Sequence, residues 1–221
     1  TAAIAKAVPD GYTIGMGTAS TLAINPATYK TLPFDVLTDL TPIGNIAAVP
    51  NIMSLNPDVK AADMRAFIAL AKSQPGKLGY GSSGHGSVSH LLGEQFKLAT
   101  GTDLTHVPYR GAAPAVNDLL AGQIQVAFTE MATSLGHIKA GTLRALAVTT
   151  VARSEALPEV PTLAEFVPGF EASQWIGLVA PKDTSPAIIA KLNAEIQAGL
   201  GDPKLKARFA ELGGMVLPGS P

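Results

Sequence analysis

The sequence predicts an α/β protein with largely parallel sheets, and three observations carry that prediction. Short apolar or alternating segments take turns with segments of helical periodicity along almost the whole chain. Of the 221 residues 47% are apolar and 15% charged, a balance that favours a packed core over disorder. The length suffices for one large domain or for two lobes.

In chain order, TAAIAKAV reads as the tail of a helix stopped by Pro9-Asp10-Gly11, and it lacks the basic and apolar regions of a signal peptide. Residues 12–16 read as a short strand, after which Thr18, Ser20 and Thr21 offer side-chain caps to a helical turn. Residues 51–55 form a second apolar run, closed by Asn56-Pro57. Residues 63–71 are helical, with Met64, Phe67, Ile68 and Ala71 on one face, and Pro75-Gly76 ends them. Residues 78–80 read as a strand. Val88, Leu91, Leu92, Phe96 and Ala99 then repeat at helical spacing, with Gly101 as a stop.

HVPYRG is extended, Pro114 suits a first helical turn, and Val116, Leu119 and Leu120 form the next stripe, closed by Gly122. Ile124, Val126 and Phe128 alternate with Gln123 and Gln125 as a half-buried strand, and residues 143–148 are a more apolar one. Residues 153–169, rich in Pro and charge, read as a long connection. Residues 174–180 return to strand. Ser185-Pro186 starts a helix with Ile188, Ile189, Leu192 and Ile196 inward, and Asp202-Pro203 starts another with Leu205, Phe209 and Leu212.

Charge and composition exclude several function classes. A net charge of -1 gives no electrostatic basis for nucleic-acid binding. Without cysteine there is neither a disulfide nor a thiolate. No run of about 18 apolar residues is present, so no membrane insertion is expected.

The stretch GYGSSGHGSVSHLL, residues 79–92, is the most informative. Its small-residue loop lies between a strand and a helix start, where open α/β sheets bind ligands. A helix start leaves about four backbone N–H groups without internal partners, and the dipole adds positive potential. Together these form an anion site. Gly84 and Gly86 let a ligand approach the backbone, while Ser82, Ser83, Ser87 and Ser89 can add hydroxyl donors. The plain alternative is a Gly/Ser-rich turn that is only a tight turn. Residues 81–87 lack the Lys of a P-loop, the glycines at 84 and 86 lack the third of a dinucleotide fingerprint, and the G-x-S-x-G elbow is unmatched.

The four histidines, His85, His90, His106 and His137, fit no zinc spacing, so no metal and no cofactor is expected. His85 reads as a solvated or ligand-contacting loop residue, and His90 as a helix-surface residue. A Ser87–His85 pair is conceivable, although sequence neighbours rarely have proton-transfer geometry. Gly111 and Ala112 form a second helix start, to which Arg110 can add charge for a carboxylate or stand as a plain surface residue. Thr129, beside Glu130, follows a strand and could edge the same cleft. Gln174 lies near a plausible domain crossing, beside Trp175, the one tryptophan.

The chain resembles the substrate-binding proteins of tripartite tricarboxylate transporters, the Bug proteins. The likeness rests on PDGYT at 9–13, TLPFD at 31–35, QPGKLGYGSSGHGSVSHL at 74–91 and VPYRGAAPAVNDLLAGQI at 107–124. AGTLRALAVTT at 140–150, LPEVPTLAEF at 157–166 and WIGLVAPKDTSPAIIAKLN at 175–193 extend it over essentially the whole chain.

The resemblance implies a two-lobed periplasmic binding protein of type II, a Venus flytrap, with residues 1–51 and 170–221 as the first lobe and 52–169 as the second. It implies a small carboxylate ligand held between the lobes, and membrane transporter subunits or a sensor protein as partners. The candidate ligand-binding set is Ser20, Thr21, Ser82, Ser83, Gly84, His85, Gly86, Ser87, Arg110, Gly111, Ala112, Thr129 and Gln174. The family opens with a strand and glycine-rich turn and continues beyond the final Ser-Pro, neither matched here, so truncation at both ends is expected. Members often have Asp where Thr129 stands, which leans toward a plain organic acid over an amino acid.

Two other functions stay open at this stage. One is an enzyme that uses residues 82–87 as an anion or oxyanion site in acyl or phosphoryl transfer. The other is the ligand-sensing half of a transcription regulator.

Overall fold

The computed structural model describes residues 1–221, which divide into two compact units. Unit 1 comprises Thr1–Val49 with Gln174–Pro221, and unit 2 comprises Pro50–Ser173. The chain opens with α1 (Ala2–Ala5), β1 (Gly15–Thr18), a π-helical turn (Ala19–Ile24), α2 (Asn25–Thr28) and the long strand β2 (Leu40–Leu55). There follow α3 (Met64–Ser73), β3 (Gly79–Ser82), α4 (Val88–Thr100), β4 (Thr105–Pro108), α5 (Ala112–Leu120), β5 (Val126–Glu130), α6 (Met131–Lys139) and β6 (Arg144–Val148). The last elements are β7 (Ser173–Pro181), α7 (Pro186–Gly201), α8 (Pro203–Glu211) and the two-residue β8 (Met215–Val216). No helix is long and apolar enough to cross a membrane.

In unit 1, β1 pairs antiparallel with β7 from Gly15↔Val179 to Thr18↔Ile176, and β8 pairs antiparallel with β2 at Ala47↔Val216 and Ala48↔Met215. Ser185 caps α7 through the Ile188 amide, with Pro186 in the first turn, as its sequence predicts. Ile189 then packs with Ile43 and Ala180, and Leu178, Leu192 and Ile196 close around them. Asp202 caps α8 by accepting from the Lys204 and Leu205 amides at 2.6 and 3.3 Å. The strand expected at residues 12–16 begins later, at Gly15. The Asp10 carboxylate takes the Tyr12 amide at 3.0 Å, a local turn that keeps Tyr12 out of the ladder and 94% exposed.

Unit 2 is a sheet in the order β4-β3-β5-β2-β6. β3 runs parallel to both β4 and β5, while β2 is antiparallel to β5 and to β6. The expected parallel pairing therefore holds for β4-β3-β5, and the antiparallel pairs depend on partners distant in sequence, which local periodicity does not encode. Helices cover both faces. On one, Phe67 of α3 and Phe96 of α4 meet at 6.2 Å, and Phe96 meets Phe128 of β5 at 5.9 Å. Tyr80 of β3 stands edge-on to Phe128 at 6.1 Å. All four rings are fully buried, each worth roughly 1.5–3 kcal/mol over exposure.

On the opposite face, Val116 and Leu119 of α5 pack with Ile124, Ala127 and Leu143. Met131 and Leu135 of α6 pack with Ile52, Val148, Leu157 and Val160. The last two belong to the connection over residues 153–169, which is thus anchored to the core. Its charged side is an exposed ion pair, Arg153 to Glu165 at 2.8 Å.

Candidate functional site

Because β4, β3 and β5 are parallel neighbours, their carboxyl ends lie along one edge of unit 2, and each feeds a helix: β3 into α4, β4 into α5, β5 into α6. Three helix N-termini therefore gather at that edge, each with orphan amides and the positive end of its dipole.

They are not equivalent. Ser87 is the N-cap of α4, accepting from the His90 amide at 3.1 Å and donating its hydroxyl to the Gly84 carbonyl at 2.7 Å. The loop before it satisfies much of itself. The Ser83 amide donates to Ser89 Oγ at 2.9 Å, the Gly84 amide to Ser82 Oγ at 3.2 Å, the Gly86 amide to His90 Nδ1 at 3.2 Å, and the Ser87 amide to the Gly84 carbonyl at 3.2 Å. Of the hydroxyls expected to add ligand donors, those of Ser82, Ser87 and Ser89 thus serve here as acceptors for amides of the loop and of the first turn of α4. By contrast, α5 and α6 begin without any side-chain cap. At the start of α5, Gly111 donates to the Ser83 carbonyl at 3.2 Å and holds φ +112, so the two loops are tied at their backbones. Gly84 holds φ +126, and a Cβ there would sit 3.0 Å from the Tyr109 carbonyl.

The remaining candidates divide sharply. Glu130, at the end of β5, accepts from the Ser83 hydroxyl at 3.3–3.4 Å and so joins this edge. Thr129 is its strand neighbour and points to the other face. It is 0% exposed, and its hydroxyl lies 2.7 Å from Ser134 Oγ of α6. Arg110 is exposed and in no salt bridge. Ala112 opens α5, and His85 is exposed on the α4 loop. Ser20, Thr21 and Gln174 belong to unit 1. There Thr18 and Thr21 form a reciprocal cap, each accepting from the other's amide. Gln174 has its Oε1 buried without a partner.

Two features escape the sequence reading. His90, expected on the helix surface, is half-buried and stacks on His106 of β4 at 4.1 Å, with 18° between the rings. The register Tyr80↔His106 brings this about, since it lays β4 beside β3 under the first turn of α4. His106 also meets Tyr80 at 4.8 Å and has Nε2 2.7 Å from Ser82 Oγ. Burial, then the neighbouring His90 and His85, push the His106 pKa down to about 4. Burial also lowers His90, against the opposing pull of Glu94. Ser82 is fully buried and its histidine is a weak base, so this Ser–His contact is built for structure rather than nucleophilic attack. The second feature is Asn51 of β2, opposite Glu130 in register and 0% exposed, with neither Oδ1 nor Nδ2 bonded. It opens the apolar run of residues 51–55, and no motif marks it.

A family model described as the tripartite tricarboxylate transporter family receptor matches residues 1–217. The chain belongs to that family. Protein BugT of Bordetella pertussis is 40% identical over 215 residues, covering 96% of this receptor-family chain and 66% of BugT. The chain thus spans about two thirds of the length of the curated relatives it matches. Among solved structures, an R. palustris protein with adipate is 37% identical with a TM-score of 0.96, covering 99% of this chain and 74% of that one. The periplasmic binding protein BugD is 34% identical with a TM-score of 0.93, over 99% and 73%. MatC of Rhodopseudomonas palustris with bound malate is 28% identical with a TM-score of 0.90, over 97% and 74%. The receptor-family chain therefore has the α/β fold of these binding proteins.

Proposed function

We propose that this chain captures a small organic acid in the periplasm, as the solute receptor of a tripartite tricarboxylate-type transporter or of a sensor protein. The observation that carries the reading is the gathering of three helix N-termini at one edge of unit 2, two of them uncapped. A carboxylate is the natural guest of such dipoles and orphan amides. The relatives solved with adipate and with malate support the same ligand class.

In unit 2 the proposed contacts are Ser83, Gly84, His85, Gly86 and Ser87 on the α4 loop, with Arg110, Gly111 and Ala112 at the start of α5, while the fully buried Ser82 holds the loop in place through the Gly84 amide. The starts of α5 and α6 supply the amides, Arg110 supplies a full charge, and the loop hydroxyls exchange partners when the ligand arrives. Thr129 contributes through its bond to Ser134, as a support rather than a contact. The protein acts on its ligand by binding alone, without chemistry, and hands it to membrane subunits.

Titration calorimetry against a panel of mono- and dicarboxylates tests this. We expect micromolar or tighter binding of at least one acid. A folded sample that gives no heat with any of them would sink the reading.

A further inference from the structure

We propose that His85, His90 and His106 form a binding site for a borderline divalent metal ion, of the zinc, nickel or copper(II) class, at the foot of the α4 loop in unit 2. The proposal does not rest on carboxylate binding. The three residues come from different parts of the chain, namely the loop, the first turn of α4 and strand β4. One ring nitrogen from each lies within 4.8 Å of the other two. Imidazole nitrogen is the donor these ions favour, while magnesium and calcium take oxygen.

The tautomers suit a metal at two of the rings. His106 has Nε2 committed to Ser82 Oγ at 2.7 Å. With the proton on that nitrogen, Nδ1 keeps its lone pair, which is the outer-shell arrangement that orients metal-binding histidines. His90 presents a lone pair at Nδ1, since that atom accepts from the Gly86 amide at 3.2 Å. An ion would take this lone pair in place of a long hydrogen bond. Glu94, one turn along α4, adds a nearby negative charge, and Lys97 opposes it.

The geometry also says what must move. Donors on a tetrahedral ion with metal–nitrogen bonds of about 2.0–2.1 Å sit roughly 3.3 Å apart. The stacked rings of His90 and His106 must turn from their near-parallel arrangement to aim at a common point. His85 closes the rest of the gap. It stands perpendicular to both rings, at 5.4 and 5.0 Å, and is exposed between Gly84 and Gly86, both of positive φ. Three protein nitrogens leave the remaining positions on the ion to water.

The test is calorimetry with zinc chloride and, separately, nickel chloride, on chain without a polyhistidine tag and without organic acid. About one ion per chain is expected, reversed by a chelator. His85→Ala, at an exposed position, should weaken binding by about ten-fold or more, the least that loss of an outer-shell partner costs elsewhere. His137→Ala, on α6, should leave it unchanged. His106→Ala should abolish binding if it folds; if it does not, His85→Ala decides alone. Absence of heat with both metals, or a His85→Ala isotherm matching the parent, overturns the proposal.

Discussion

Ser82 and His106 join β3 to β4 through side chains, Oγ to Nε2 at 2.7 Å, at the edge where α4 begins. The same hydroxyl oxygen accepts the Gly84 amide at 3.2 Å, so one buried atom fixes both a ring and a turn.

Ser82→Ala should therefore cost about 1–3 kcal/mol, because it strands a ring nitrogen and an amide in one step. The urea midpoint reads this directly. A midpoint equal to the parent's would show that both groups find other partners.

Gly93 of α4 lies against the Tyr80 ring, and a Cβ there would collide with the ring's edge. Tyr80 is fully buried, with its phenol donating to Glu94 at 2.6 Å, so it has no room to give. Gly93→Ala should destabilise the protein by about 1–3 kcal/mol, despite the better helix propensity of alanine. Thermal melts would settle the sign.

Asn51 makes the opposite case. Both its side-chain polar atoms are buried and unbonded, so replacing it with leucine removes two unsatisfied groups at similar volume. We expect Asn51→Leu to leave stability unchanged or raise it by about 1 kcal/mol. A clear loss in chemical denaturation would mean that water or a ligand completes the amide.

Arg110 is exposed and in no salt bridge, so Arg110→Ala should not alter the melting temperature. On the proposed function it should weaken binding of the preferred acid by about ten-fold, the scale of one charge-assisted hydrogen bond. Unchanged affinity would remove Arg110 from the site.

Burial and then its bond to Asp118, at 2.7 Å, push the Tyr109 phenol up to about 12. A folded pKa above the unfolded value of about 10 means the protonated form is favoured by folding. The associated stability is complete below pH 10 and is lost as pH rises through about 12. The stability gap between the parent and Tyr109→Phe should narrow across that window. A gap that stays constant from pH 9 to about 12 would refute the assignment.

The elements legible in the sequence were those with a cap and a stripe. Ser87, Ser185 and Asp202 sit at the helix starts their types suggest, and Gly101 ends α4 in the left-handed conformation at φ +65. Helix α6 was not foreseen, since Thr133, Ser134 and Gly136 dilute its stripe. The first half of β2 was not foreseen either, because Pro42, Gly44 and Pro50 interrupt the pattern expected of a strand. Leu91, expected inward, is 40% exposed, at the margin of its stripe. At the candidate site, composition gave the position of the α4 loop. It could not give the pairing of hydroxyls with amides, which rotamers decide. Nor could it give the His90–His106 stack, which the register between two strands creates.

The division of the chain has a consequence for biosynthesis. Unit 2 is one unbroken segment, whereas β1 must find β7, some 160 residues away, as in the pair Gly15↔Val179. On a ribosome the middle of the protein can condense while the leading segment still waits for its partner. Closing that distant pairing carries the larger entropic toll and is expected to set the pace of maturation.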